Sequence, residues 1–144
     1  MDDSKTLREQ IRKLERMLGV LNDSEMSCCN VTMAQCHAIV EIGRAGSLSL
    51  VQLSEILNLD TSTTSRTVNN LVTRNLATRD PDPDDRRFIQ IALTDSGIQI
   101  FNQIETNMDA HFSVMYQKIT PEKRVQVLES IQILLDVFNT GNCC

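Results

Sequence analysis

Seven residues, Pro81-Asp82-Pro83-Asp84-Asp85-Arg86-Arg87, constrain this chain more than any other. With Asp80 before it, the run holds two prolines and four aspartates. It cannot build a core, so it must be an exposed loop. Leu76–Asp80 before it and Phe88–Leu93 after it alternate in the manner of strands. Upstream, Ser49-Leu50-Val51-Gln52 reads as a capping box, followed by Leu50, Leu53 and Leu57 at helical spacing. A break at Asn58-Leu59-Asp60 leads into a second helix, which places Thr64, Val68 and Leu71 on one face. Two short helices joined by a tight turn are a device for laying one helix in the DNA major groove. Followed by two strands with an arginine-tipped loop, they make a winged helix-turn-helix. The expected fold class is mostly α with a small β wing.

Here the residues carry a resemblance. Asp84-Asp85-Arg86-Arg87-Phe88-Ile89-Gln90-Ile91-Ala92-Leu93-Thr94 is similar to the wing signature of the MarR family of bacterial transcriptional regulators. That signature is Asp-x-Arg, a strand, then Leu-Thr, and Asp85 and Arg87 fit it. Leu59-Asp60-Thr61-Ser62-Thr63-Thr64-Ser65-Arg66 resembles the family's recognition helix, and Val31-Thr32-Met33-Ala34-Gln35 the start of its second helix. Thr64 departs from the pattern, because the family usually has an apolar residue there. Cys36-His37 departs as well, because an aromatic or aliphatic residue often follows the Gln. The resemblance extends over nearly the whole chain and implies one MarR-like domain, residues 1–144, with a winged helix-turn-helix at about 32–94.

The formal net charge of −5 argues mildly against nucleic acid if read globally. Affinity for phosphate depends on the local patch. Thr61 to Arg79 holds Arg66, Arg74 and Arg79 and no acid. The acidic total predicts weak non-specific binding. No run of apolar residues is long enough to span a bilayer, and the acidic start Met1-Asp2-Asp3-Ser4 is unlike a signal peptide. A cytoplasmic protein with no membrane partner is expected. Five cysteines in a reducing compartment are expected to be thiols rather than a disulfide framework.

The flanks are amphipathic. Leu7, Ile11, Leu14, Leu18 and Leu21 form one stripe. Thr94 is expected to cap a helix from Asp95 to about Lys118 that carries Ile98, Phe101, Ile104, Met108, Phe112 and Met115. Thr120 as N-cap and Pro121 at the first helical position start a third, with Val127 or Leu128, Ile131, Leu134 or Leu135, and Phe138 on its stripe. A small winged domain cannot cover three such stripes. Residues 1–30 and 95–144 are therefore expected to be dimerisation helices of a two-fold homodimer. An intramolecular bundle is the alternative.

On the recognition helix the face opposite Thr64, Val68 and Leu71 centres on Ser62, Arg66, Asn69 and Thr73, with Thr63 and Asn70 beside them. Arg can read guanine O6 and N7, and Asn can read adenine N6 and N7. In the wing, Asp85 and Arg87 are expected to pair or to fix the loop. The resemblance implies that an arginine of this motif, Arg86 or Arg87, enters the minor groove. The DNA-binding candidates are therefore Ser62, Thr63, Arg66, Asn69, Asn70, Thr73, Asp85, Arg86 and Arg87, and the partner is double-stranded DNA carrying a palindromic operator.

Cys28 and Cys29 lie just before a helix that Thr32 and Gln35 mark with a capping box, and Cys36 falls in its first turn, followed by His37. Helix N-termini stabilise thiolates. Cys28, Cys29, Cys36 and His37 are thus candidates for a thiol sensor or a soft-metal or metalloid site, although their spacing is poor for zinc. The opposing reading makes Met33, Cys36 or His37, Val40 and Gly43 a core stripe, with His37 in a core or an interface. His111 is expected to be structural and Cys143-Cys144 a frayed tail. The family's zinc-sensing branch places ligands on the helix after the wing. That helix has a single His here, so the zinc site does not carry over.

The expected function is a homodimeric repressor released by a signal. The signal is thiol-reactive (oxidant, soft metal or metalloid), or else a small organic ligand with the cysteines structural. A winged-helix interaction module without DNA contacts is the rival. No phosphate-binding loop or nucleophile–base set points to an enzyme, and no cofactor is required.

Overall fold

The computed structural model describes the backbone of residues 2–26 and 30–140, and the side chains of residues 2–19 and 30–139. Cys28, Cys29, Cys143, Cys144 and the side chain of Leu21 lie outside the described residues. The elements run α1 (Asp3–Met26), α2 (Met33–Ala45), β1 (Ser47–Ser49), α3 (Leu50–Leu57), α4 (Thr61–Thr73), β2 (Ala77–Pro81), β3 (Ile89–Leu93), α5 (Asp95–Lys118), a 3₁₀ turn (Pro121–Lys123) and α6 (Arg124–Thr140). The chain divides into two compact units, with the boundary between Asn107 and Met108.

The first unit contains the winged helix. Its helices start where the sequence places caps. The Thr32 hydroxyl accepts from the Gln35 N–H while the Gln35 side chain accepts from the Thr32 N–H, both at 3.1 Å. Ser49 and Gln52 repeat this reciprocal pair at 3.1 and 2.9 Å. α3 and α4 end alike. Asn58 and Asn75 adopt left-handed backbone at φ 54° and 59°. The next residue then donates back across the last turn, Leu59 N–H to Ser54 O at 3.0 Å and Leu76 N–H to Leu71 O at 2.9 Å. These bonds satisfy carbonyls that a helix end otherwise leaves open.

Ile39 and Ile42 of α2, Leu53 of α3, Val68 and Leu71 of α4 and Ile91 of β3 are fully buried. Each such aliphatic side chain contributes about 1.5–3 kcal/mol by leaving water. Thr64 is also fully buried, and its hydroxyl donates to the Asp60 carbonyl at 3.0 Å. A backbone acceptor one turn back is what lets a hydroxyl sit in an apolar position.

Two sequence expectations for this unit change. The buried face of α2 is Gln35, Cys36, Ala38, Ile39 and Ile42, whereas Met33 and His37 are exposed and Val40 is half-buried. The apolar stripe lies to one side of the expected one because Ala38 and Ile39 face the core. The sheet has three strands, in the order β1-β3-β2, all antiparallel. β1 escapes a sequence reading because Ser47-Leu48-Ser49 is short and polar. It becomes a strand by pairing Leu48 with Ile91.

The Thr94 hydroxyl accepts from the Gly97 N–H at 3.1 Å, which caps α5, and donates to the Asn75 carbonyl at 2.7 Å. Its own N–H donates to the Leu76 carbonyl at 3.0 Å. The start of α5 is thereby tied to the end of α4. A Cβ at Gly97 would overlap the Leu76 carbonyl oxygen, and one at Gly43 would overlap the Phe101 ring.

In the second unit Thr120 makes no side-chain cap. It still stands at the N-cap position with Pro121 first after it, but the turn they open is 3₁₀, with the Lys123 N–H donating to the Thr120 carbonyl at 2.8 Å. The Arg124 guanidinium braces this turn. It donates to the carbonyls of Ile119 and Gln117 at 3.2 and 3.1 Å and lies 5.1 Å from the centre of the Tyr116 ring, fixing the turn from the α6 side. His111 meets the Phe112 ring edge-on at 5.9 Å. No described helix is long and apolar enough to cross a membrane.

Candidate nucleic-acid interface

α4 begins at Asp60, whose carboxylate accepts from the Thr63 N–H at 2.7 Å. Hydrogen bonds from the Thr63 side chain and backbone, with a further contribution from the Arg66 charge, hold this carboxyl below its ordinary 3.8. The two faces of the helix then diverge. Thr64, Thr67, Val68 and Leu71 are buried. Ser62, Arg66, Asn69, Asn70 and Thr73 are exposed, and Thr63 is half-buried. Arg66 reaches back to the Thr63 hydroxyl at 3.3 Å and otherwise projects outward. The Thr73 hydroxyl donates to the Asn69 carbonyl at 2.9 Å.

The wing projects from β2 and β3, whose ladder ends at Pro81 opposite Ile89. The loop is closed by the Asp82 N–H on the Phe88 carbonyl at 2.8 Å and the Phe88 N–H on the Asp85 carbonyl at 3.0 Å. Two of its acids serve as acceptors within the loop, while Asp84 is exposed. Asp82 accepts from the Asp84 N–H at 2.8 Å and the Gln90 amide at 3.1 Å. Asp85 accepts from the Arg87 N–H at 3.1 Å, from Nε at 3.0 and 3.2 Å, and from Nη2 at 2.7 Å. Those bonds hold the Asp85 carboxyl low and the Arg87 guanidinium high. An exposed ion pair adds little stability. This one instead sets loop shape, because the Arg87 side chain remains 85% exposed while anchored. Arg86 beside it is exposed too.

Two of the five arginines of this region are committed elsewhere. Arg74 donates to the buried Gln35 amide oxygen at 2.9 Å and so ties α4 to α2. Arg79 of β2 donates to the Asn69 amide oxygen at 2.6 Å and the Ser65 hydroxyl at 3.2 Å. Sequence reasoning counted both only as positive charge. Their partners lie 39 and 10 to 14 residues away, and no local pattern marks such pairs. Arg66, Arg86 and Arg87 remain as outward cations, on the helix face and the wing. Side chains of this kind can neutralise phosphates and reach base edges in two adjacent grooves.

The thiol candidates do not converge among the described residues. Cys36 is buried in α2, while His37 next to it is exposed. Of the two places expected for His37, a core or an interface, its exposure excludes the core of this unit. No group of three His, Cys, Asp or Glu side chains suited to a metal ion occurs among the described residues.

Comparison with known proteins bears on this surface. A family model described as the MarR family matches residues 31–89, which run from the start of α2 into β3. The chain is 24% identical over 144 aligned positions to the multiple antibiotic resistance protein MarR of Escherichia coli K12, covering 94% of this chain and 96% of that one. It is 29% identical over 114 positions to the HTH-type transcriptional regulator YhbI of Bacillus subtilis, covering 79% and 71% of the two chains. Among solved structures, Streptococcus pneumoniae FabT in complex with DNA superposes with a TM-score of 0.83 at 18% identity, covering 96% of this chain and 98% of that one.

Proposed function

We propose that the chain is a MarR-family winged helix transcriptional regulator, as the matching family model and relatives support, and that it acts as a homodimeric repressor of a palindromic operator, released by a signal. One observation carries the DNA reading. The outward face of α4 is polar, with Ser62, Arg66, Asn70 and Thr73 exposed above a wholly buried inner face, and it stands beside a wing whose two arginines face solvent. In this reading Arg66 reads a base edge. Ser62 and Thr63 meet phosphate near the helix start, and Asn70 and Thr73 extend the contact along the helix. Asp85 shapes the wing so that Arg86 and Arg87 approach the minor groove. The complex of FabT with DNA, on the same fold, supports this use of the surface.

The dimer reading rests on apolar faces. On α6, Leu128, Ile131, Leu135 and Phe138 recur at helical spacing and are 55%, 47%, 51% and 63% exposed. Leu7 and Leu14 of α1, and Phe112 and Met115 of α5, are exposed as well. Stripes of this length call for a partner. A second copy is the economical one, since two recognition helices one helical turn apart match a palindrome.

Gel shifts on the DNA upstream of its own gene, with light scattering of the free protein, test both parts. A shift saturating at two chains per site is expected. A stable monomer in solution overturns the dimer, and no shift on any genomic fragment favours a protein-interaction module. For the signal, the burial of Cys36 supports a structural role for that thiol; a thiol-reactive signal would then act at Cys28 or Cys29, and a small organic ligand is the alternative effector.

A further inference from the structure

We propose that Arg79 is a positioning residue that clasps the stem of the wing to α4 and thereby withdraws Asn69 from base reading. The inference rests on the DNA-binding reading and sharpens it, because Asn69 otherwise stands among the candidate readers.

Arg79 lies on β2 opposite Ile91, a fully buried residue of β3, so its backbone is fixed in the sheet. Its Nη1 donates to Asn69 Oδ1 at 2.6 Å and to Ser65 Oγ at 3.2 Å. Ser65 and Asn69 are four residues apart on α4 and lie one above the other, so a single guanidinium spans one helical turn. The shorter bond has the length of a charge-assisted one. It also fixes the Asn69 amide. Turned over, the amide would set its NH₂ against a guanidinium N–H, donor against donor. The oxygen of Asn69 must therefore face the wing stem.

Adenine recognition by Asn uses both ends of the amide on one outward edge: the oxygen accepts from N6 and the nitrogen donates to N7. Asn69 has committed its oxygen in another direction, so it can adopt that geometry only by breaking the clasp. Asn70, the adjacent exposed amide, makes no side-chain hydrogen bond among the described residues and keeps both ends available. The polar tie also does for the wing what the Thr94 bonds do for α5. It makes the angle between wing and recognition helix a built feature, so Arg86 and Arg87 reach DNA in fixed register with Arg66.

The test uses the full chain and the DNA fragments that wild type enriches from a random-sequence pool. Asn69→Asp keeps an acceptor for Arg79 and should bind those fragments within roughly threefold of wild type. Asn69→Ala and Arg79→Met should each weaken binding and remove hydroxyl-radical protection at the outer, wing-contacted positions. The base preferences contributed by α4 should be unchanged, and Arg79→Lys should restore part of the lost protection. An Asn69 that reads adenine gives the opposite result. Asn69→Asp would then lose roughly tenfold or more, and Asn69→Ala would lose an adenine preference at one position. Either outcome overturns the proposal. Urea melts of Asn69→Ala, Arg79→Met and the double variant supply a readout free of DNA. The two losses should be less than additive, and full additivity overturns the clasp. If the losses couple but wild type enriches no sequence, the positioning role falls because the DNA-binding reading has failed, and the clasp itself stands.

Discussion

Gly97→Ala should destabilise this protein, although the same change in an open helix stabilises it. In an unobstructed helical position Ala is favoured over Gly by about 0.5–1 kcal/mol. Gly19, within α1, is such a position, since a Cβ there meets nothing within 4 Å. At Gly97 the added methyl would overlap the Leu76 carbonyl, which already accepts from the Thr94 N–H. The start of α5 has to move away. Forcing a methyl into a packed site costs about 1–3 kcal/mol. The shift also stretches the Thr94 bonds to Leu76 and Asn75, each worth about 0.5–1.5 kcal/mol. Set against the helix gain, the net loss is on the order of 2–4 kcal/mol. For a chain of this size each kcal/mol moves Tm by about 2–4 °C, so Gly97→Ala should melt roughly 5–15 °C lower. Gly19→Ala should melt slightly higher than wild type. Thermal and urea denaturation followed by circular dichroism, on both variants and wild type, decides it. Gly97→Ala melting at or above wild type would refute the close approach of α5 to the end of α4.

Three further outcomes follow from the candidate site. Arg66→Ala should cost about 1–3 kcal/mol at one base position of each half-site, and joint replacement of Arg86 and Arg87 by Ala should weaken binding and flatten its salt dependence. Titrations at several salt concentrations measure both. The Asp60 carboxyl is held below its ordinary 3.8, so the stability it contributes is present above that value and is lost as pH falls through the lower folded value. Asp60→Asn keeps a capping oxygen and should shallow the fall in Tm on acidification, and an unchanged acid limb counts against the cap. Replacing Cys28, Cys29 and Cys36 together by Ser should leave DNA binding and its release by a small organic inducer intact, and loss of release on oxidant or arsenite addition would instead assign sensing to the thiols.

The legible part of the fold was the part written in local chemistry. The Thr32–Gln35 and Ser49–Gln52 boxes, the Thr94 cap and the Pro-Asp loop each depend on residues within a few positions, and each stands where the sequence indicates. The Asp85–Arg87 pair was legible for the same reason. Features set by distant partners were not. β1 is a strand because β3 pairs with it, and the bonds of Arg124 to the carbonyls before the Pro121 turn carry no local signature. The inner face of α2 was ambiguous because Ala38 is too small to mark a stripe, while Met33 and Val40 are apolar enough to suggest a false one. The roles of Arg74 and Arg79 were illegible in principle. Their charge is visible in the sequence, but the side-chain amide oxygens of Gln35 and Asn69 that accept from them become neighbours only through folding.

Asn58 and Asn75 stand at the two joints of the reading helix, one at its entry and one at its exit. Glycine there would swing readily between conformations, whereas asparagine has fewer alternatives to the left-handed turn it makes. With each joint also closed by a bond across the preceding helical turn, the segment between them resists bending and behaves as a rigid tooth. A signal acting on such a part has no soft point at which to tilt one helix out of its groove. In the proposed homodimer it is expected to move the whole tooth and wing together, changing the distance between the two recognition surfaces rather than the fit of either. Operators with altered spacing should then respond to effector differently from operators with altered sequence.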